Sequence, residues 1–143
     1  QMVSGYIVGP DANLSGANLN GLISGSITGT PTLPTNYTLV NGYIIGPYVN
    51  LSAADLIGAN LFLVDLYFAD LSGANLTGAD LLGASFVSTA IWTNSNLYGA
   101  TLPNGYDQAW FESEGAIFAV PEPSSYALLF GGLALGLVAL RSR

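Results

Sequence analysis

Leucine returns at every fifth position from Leu51 to Leu81, and two residues before each one stands Ala or Val. The residue between them is always Asn or Asp: Asn50, Asp55, Asn60, Asp65, Asp70, Asn75 and Asp80. In this phase the chain divides from Val49 to Thr93 into nine consecutive blocks of five. The last two read Ala84-Ser85-Phe86-Val87-Ser88 and Thr89-Ala90-Ile91-Trp92-Thr93. A one-residue slip at Asn94 then precedes two more blocks, centred on Leu97 and Leu102.

A period of five matches neither the 3.6-residue helix nor the two-residue strand. It matches a chain that turns a corner every five residues, so that four blocks close one coil. Ala or Val at the first slot and Leu at the third then point inward. The short Asn or Asp side chain at the second slot can bond its own nearby backbone at the turn. Successive coils would stack by backbone hydrogen bonds at about the 4.8 Å strand spacing. Residues four blocks apart share a face, and the fourth and fifth slots face outward.

The N-terminal third carries a weaker copy. Val3-Ser4-Gly5-Tyr6-Ile7-Val8-Gly9-Pro10 is echoed 37 residues later by Val40-Asn41-Gly42-Tyr43-Ile44-Ile45-Gly46-Pro47. Ala12-Asn13-Leu14-Ser15-Gly16 and Ala17-Asn18-Leu19-Asn20-Gly21 follow the first copy, as the blocks at 49–53 and 54–58 follow the second. The expected organisation is degenerate coils over 1–29, a proline-rich loop over 30–39, the main solenoid over 40–105, an irregular cover over 106–119, and a tail over 120–143. Gln1-Met2-Val3 aligns with Thr38-Leu39-Val40 and no cap precedes it, so the first coil is expected to be open. Such an end invites pairing with another chain.

Blocks of the form Ala-(Asp/Asn)-Leu-x-x resemble the pentapeptide-repeat family. The resemblance implies an all-β fold, a right-handed quadrilateral β-helix. Some relatives in that family are acidic rods that mimic DNA and inhibit gyrase. Here the solenoid acids are only Asp55, Asp65, Asp70 and Asp80, and one coil away they meet Asn75, Ser85, Asn50 and Asn60. Their sparseness and the export signal described below argue against a mimic, and turn chemistry accounts for them.

Composition narrows the chemistry. The net charge is −7, His and Cys are absent, and the only two cations are Arg141 and Arg143. Such a chain cannot neutralise phosphates, so nucleic acid is not an expected partner. The usual zinc ligands are missing as well, and neither a metal nor another cofactor is expected. No catalytic constellation is legible, so an enzyme is not expected. The one irregular carboxylate pair, Glu112 and Glu114, would share a face of a strand but reads as a solvated loop.

The outward slots are less ordinary. Ile57, Phe62, Leu63, Tyr67, Phe68, Leu82, Val87 and Trp92 all fall there, on two adjacent faces, where polar residues and glycine are the norm for this repeat. Contiguous exposed apolar residues mark contact surfaces. They are the candidate protein–protein contact, with the chain itself the expected partner. Tyr6, Tyr37, Tyr43 and Tyr48 offer faces on which sugars could stack, with packing at coil junctions the plainer role. Asn36-Tyr37-Thr38 is a glycosylation-type triplet in a predicted loop.

The tail supplies an address. Pro121-Glu122-Pro123 precedes Ser124–Leu140, 17 residues without a charge, and Arg141-Ser142-Arg143 ends the chain. An apolar helix halted by arginines is a membrane-stop pattern. At roughly 25 Å it is short for a full span. Gly132 and Gly136 leave a groove where helices could pack. Pro-Glu-Pro, apolar helix and basic end together resemble the PEP-CTERM sorting signal of Gram-negative bacteria. That resemblance implies export, processing by a membrane-embedded exosortase, and association with extracellular polysaccharide. The sequence opens on Gln1-Met2-Val3 rather than on a signal peptide, so a leader, removed or omitted, is expected ahead of Gln1.

The reading is an exported structural solenoid, at the cell surface or outside the cell, that assembles into a fibre or surface layer and has an apolar C-terminal α-helix. A monomeric, membrane-tethered surface protein contacting exopolysaccharide is the alternative.

Overall fold

The structure is a computed structural model that describes residues 2–3, 6–7 and 9–120. Its organising feature is a series of parallel backbone bridges. Asn50 pairs with Asp70, Asp55 with Asn75, Asn60 with Asp80 and Asp65 with Ser85, each 20 residues on. Between bridges the chain turns once per block, so each coil has four turns. Each amide ladder is continuous: Leu56 N donates to Asn75 O at 2.9 Å, and Asn75 N donates back to Ala54 O at 2.9 Å. Period five plus parallel coil-to-coil bridging is a β-helix.

The core follows from the first and third slots. Leu56, Leu61, Leu66, Leu71, Leu76 and Leu81 are fully buried, as are Ala69, Ala74 and Ala79. Each buried leucine contributes about 1.5–3 kcal/mol relative to an exposed one. Small alanines alternating with leucines fill the narrow interior. Among the described residues no buried side-chain polar atom lacks a hydrogen-bond partner.

Two short antiparallel hairpins mark the two copies of the echo. β1 (Met2–Val3) pairs with β2 (Tyr6–Ile7), and β3 (Thr38–Val40) pairs with β4 (Tyr43–Ile45). The registers correspond, Val3↔Tyr6 matching Val40↔Tyr43. The β3–β4 turn is Asn41-Gly42, both at positive φ (51° and 80°), as a two-residue hairpin of this twist requires. Tyr43 and Asn41 dock this hairpin on the solenoid. The Tyr43 hydroxyl accepts from Asp55 N, and Asn41 Nδ2 donates to Ile57 O. The hairpin was legible in the Asn-Gly pair but was not expected. Nor is the stretch 30–39 wholly a loop. Thr32 bridges Asn13 as part of a coil, and β3 begins at Thr38.

The slip lies earlier than Asn94. Asp70 pairs with Ile91, Asn75 with Asn96 and Asp80 with Thr101, each 21 residues on, whereas Asp65 still pairs with Ser85 at 20. The extra residue therefore falls between Ser85 and Ile91. A 3-10 turn over Val87–Thr89 absorbs it, entered from Phe86 at φ 57°. Phe86 is turned out, and Val87 takes its place in the core. From Ala90 the frame is shifted by one, and Trp92 stands at a third, inward slot.

The cover over 106–119 contains a helix, α1 (Gln108–Ser113), so the chain is not purely β. Asp107 caps it, its carboxylate accepting from Trp110 N at 2.9 Å. The fully buried Phe111 meets Trp92 edge-to-face at 4.9 Å. The core at this end is thus covered rather than open. Ile117 then resumes the ladder on Asn96. Among the described residues no helix is long and apolar enough to cross a membrane. The expected C-terminal helix lies outside them.

Candidate functional site

The acids of the solenoid are turn residues in geometry. At Asn50, Asp55, Asn60, Asp65, Asp70, Asn75, Asp80 and Asn96, the side-chain Oδ1 accepts from the backbone N–H two residues on. An amide and a carboxylate serve alike, which is why both occur. Bridged pairs place Asp55 against Asn75 and Asp65 against Ser85, so no carboxylate stacks directly on another. Glu112 and Glu114 do not share a strand face. Glu112 lies in α1, where Gln108 Nε2 donates to it at 2.8 Å, and Glu114 caps the helix.

The fifth slot is the unusual one. From Ala53 to Gly83 each block closes with a residue in the left-handed region, and glycine fills the slot at 58, 73, 78 and 83. Tyr48, Leu63 and Phe68 occupy the same slot at φ 57°, 59° and 52°, and Phe86 adopts φ 57° at the slip. A side chain there costs roughly 1–2 kcal/mol per residue. All four remain partly exposed, by 42%, 65%, 51% and 54% respectively, so each keeps a bulky side chain within reach of solvent at a position that glycine takes without steric cost. Bulky residues in this conformation point to a use for their side chains.

Three of them gather at one corner with Tyr67. Tyr48 and Phe68, one coil apart, stack at 5.6 Å with 13° between their planes. Tyr67 meets Tyr48 edge-on at 5.3 Å, Phe68 at 4.7 Å and Phe86 at 5.2 Å. The result is a ladder of four rings over three coils. Sequence reasoning found Tyr67 and Phe68. Phe86 occupies a leucine position and gives no outward signal, and Tyr48, which precedes the run, was expected only as a sugar-stacking or junction residue. The signal for Tyr48 was its distance of one coil from Phe68.

A second feature is a cleft of about 440 Å³ beside the loop that leads into β3. Asn36, Tyr37, Asn60, Phe62, Asp65 and Ser85 are among its lining residues. Tyr37 is held in place from two sides. Its hydroxyl donates to Pro47 O at 3.0 Å, and its ring lies where a side chain on Gly46 would have to be. This gives the Gly-Pro of the second echo a purpose. Burial first, and then the nearby Asp65 carboxylate, raise the Tyr37 hydroxyl above the ordinary tyrosine range.

Of the expected contact residues, Ile57, Phe62, Leu63, Phe68 and Leu82 are exposed. Tyr67 is half-buried within the ring ladder. Trp92 and Val87 are not surface residues, because the shifted frame turns both inward to 1% exposure. Pro121, Glu122, Pro123, Gly132, Gly136, Arg141 and Arg143 lie outside the described residues, as does the side chain of Tyr6.

The model for pentapeptide repeats matches in eight copies, over residues 48–83 and 65–104. The model for the PEP-CTERM protein-sorting motif matches residues 119–143. The chain therefore carries a pentapeptide-repeat β-helix followed by a PEP-CTERM sorting motif. Such a motif implies an exported, envelope-associated protein recognised by an exosortase. No curated protein and no solved structure matches the chain.

Proposed function

We propose that this chain is a structural subunit, exported through its sorting motif, that associates with its own copies into an extracellular fibre or surface layer. In this reading the β-helix is right-handed and quadrilateral, and the apolar tail forms a helix that serves sorting and anchoring. The role is mechanical rather than catalytic. The observation that carries the proposal is the group of exposed side chains held in the left-handed region. Tyr48, Phe68 and Phe86 occupy left-handed positions at one corner, and each keeps 42% or more of its surface exposed. A partner surface that buries those rings would offset the strain.

Negative-stain electron microscopy of the native protein from envelope and extracellular fractions tests this. Uniform fibres or sheets are expected, and they should disappear when Phe68→Gly is combined with Phe86→Ser. Discrete particles only, or assemblies indifferent to the double variant, would overturn the proposal.

A further inference from the structure

The geometry points to the cleft beside Tyr37 as a binding site for an uncharged saccharide. None of the rings of the ladder lines this cleft. The cleft falls within the usual size range of small-molecule sites, about 300–1,000 Å³. Its lining offers donors and acceptors with no cation. Asn60 and Asp65 each spend only Oδ1 on the backbone, bonding Phe62 N and Tyr67 N. The second polar atom of each has no partner among the described residues: an amide NH₂ on Asn60 and a carboxylate oxygen on Asp65. Ser85, whose hydroxyl donates to Val64 O, retains acceptor capacity. Asn36, also in the lining, adds a side-chain amide.

Sugar hydroxyls both donate and accept, and therefore need this mixture. They can donate to the Asp65 carboxylate and accept from the Asn60 and Asn36 amides. Phe62, 49% exposed, provides an apolar ring at the edge for the C–H face of a sugar. An acidic saccharide would meet Asp65 with no cation to balance it, since the only cations of the chain are Arg141 and Arg143. Phosphorylated ligands fail on the same ground. The hydroxyl of Tyr37, committed to Pro47 O, fixes the wall.

The test uses the 143-residue chain and isothermal titration calorimetry against neutral oligosaccharides: α- and β-linked glucans, a galactan and a mannan. An acidic polygalacturonate serves as the control. Saturable binding of at least one neutral saccharide is expected, with none to the acidic one. Asp65→Asn keeps the oxygen that bonds Tyr67 N but replaces the free acceptor with a donor, and should weaken binding about tenfold or more. Phe62→Ser, at an exposed position, should do the same while leaving the circular dichroism unchanged. No heat from any neutral saccharide at millimolar concentration would overturn the assignment. So would affinity unaffected by both variants, or preference for the acidic polymer.

Discussion

A β-carbon on Gly83 would stand 2.7 Å from Leu63 Cδ2, so the side chain of Leu63 fills the space that this glycine leaves open. The two residues hold the same slot in adjacent coils, both in the left-handed region. One keeps the conformation without cost, and the other pays for it while 65% exposed. Leu63→Gly should therefore stabilise the isolated chain by about 1 kcal/mol. Urea denaturation of wild type and variant side by side would check this. A loss of stability would mean that Leu63 contributes packing that its exposure conceals.

Trp92 lies at the opposite extreme. It is buried, meets Phe111 edge-on, and donates from Nε1 to Val87 O at 2.9 Å. Trp92→Ala should cost about 3–5 kcal/mol, as large core truncations do. The melting temperature should fall accordingly. A change as small as that of a surface variant would restore the outward reading of this residue.

Exchanging carboxylate for amide at the second slot should be nearly neutral, since only Oδ1 is used. Asp70→Asn is expected within about 0.5 kcal/mol of wild type. Asp70→Ala, which leaves Ser72 N without its acceptor, should lose about 1 kcal/mol. Equal losses for both variants would show that the charge itself is needed.

The raised Tyr37 hydroxyl gives a pH signature. Its folded value lies above the unfolded one, so the fold favours the protonated ring. The contribution is complete below the unfolded value of about 10 and disappears as pH rises through the folded one. Between those two values wild type should lose stability more steeply than Tyr37→Phe, and above both the slopes should match again. Denaturation midpoints collected across the alkaline range would show the two curves converging. Parallel curves would refute the claim.

Gly46→Ala addresses the same wall. The added carbon would collide with Cδ1 of Tyr37, and the ring is tethered to Pro47 O. Overpacking of this kind costs about 1–3 kcal/mol. Gly9, its counterpart in the first echo, has nothing within 4 Å of such a carbon among the described residues. Gly9→Ala should therefore be silent in the same thermal melt, and equal effects at the two positions would contradict the packing argument.

The repeat itself was plain in the sequence, because identical blocks demand identical surroundings. Leu71 and Asp70 could be placed inside the coil and at its turn from spacing alone. The slip could not be placed this way. Phe86 resembles a core residue as well as Val87 does, and only the 3-10 turn decides which of them enters. That one choice determines whether Trp92 is surface or core. The helix α1 was missed because Asp107 is its only capping signal and six residues are too few to show a period. The cleft was out of reach for a different reason: Tyr37 and Asp65 are neighbours only after the chain has coiled.

The 21-residue spacing at the slip has a consequence for how such a chain can change length. Gene duplication or loss of four whole blocks would return every leucine to a leucine and every turn to a turn. Solenoid length is therefore a quantity that selection can vary in steps of one coil. Phe86–Ala90 sets a limit on that freedom. An insertion ahead of it lengthens the rod and leaves α1 seated on Trp92, whereas one behind it separates the terminal cover from the coil that fits it.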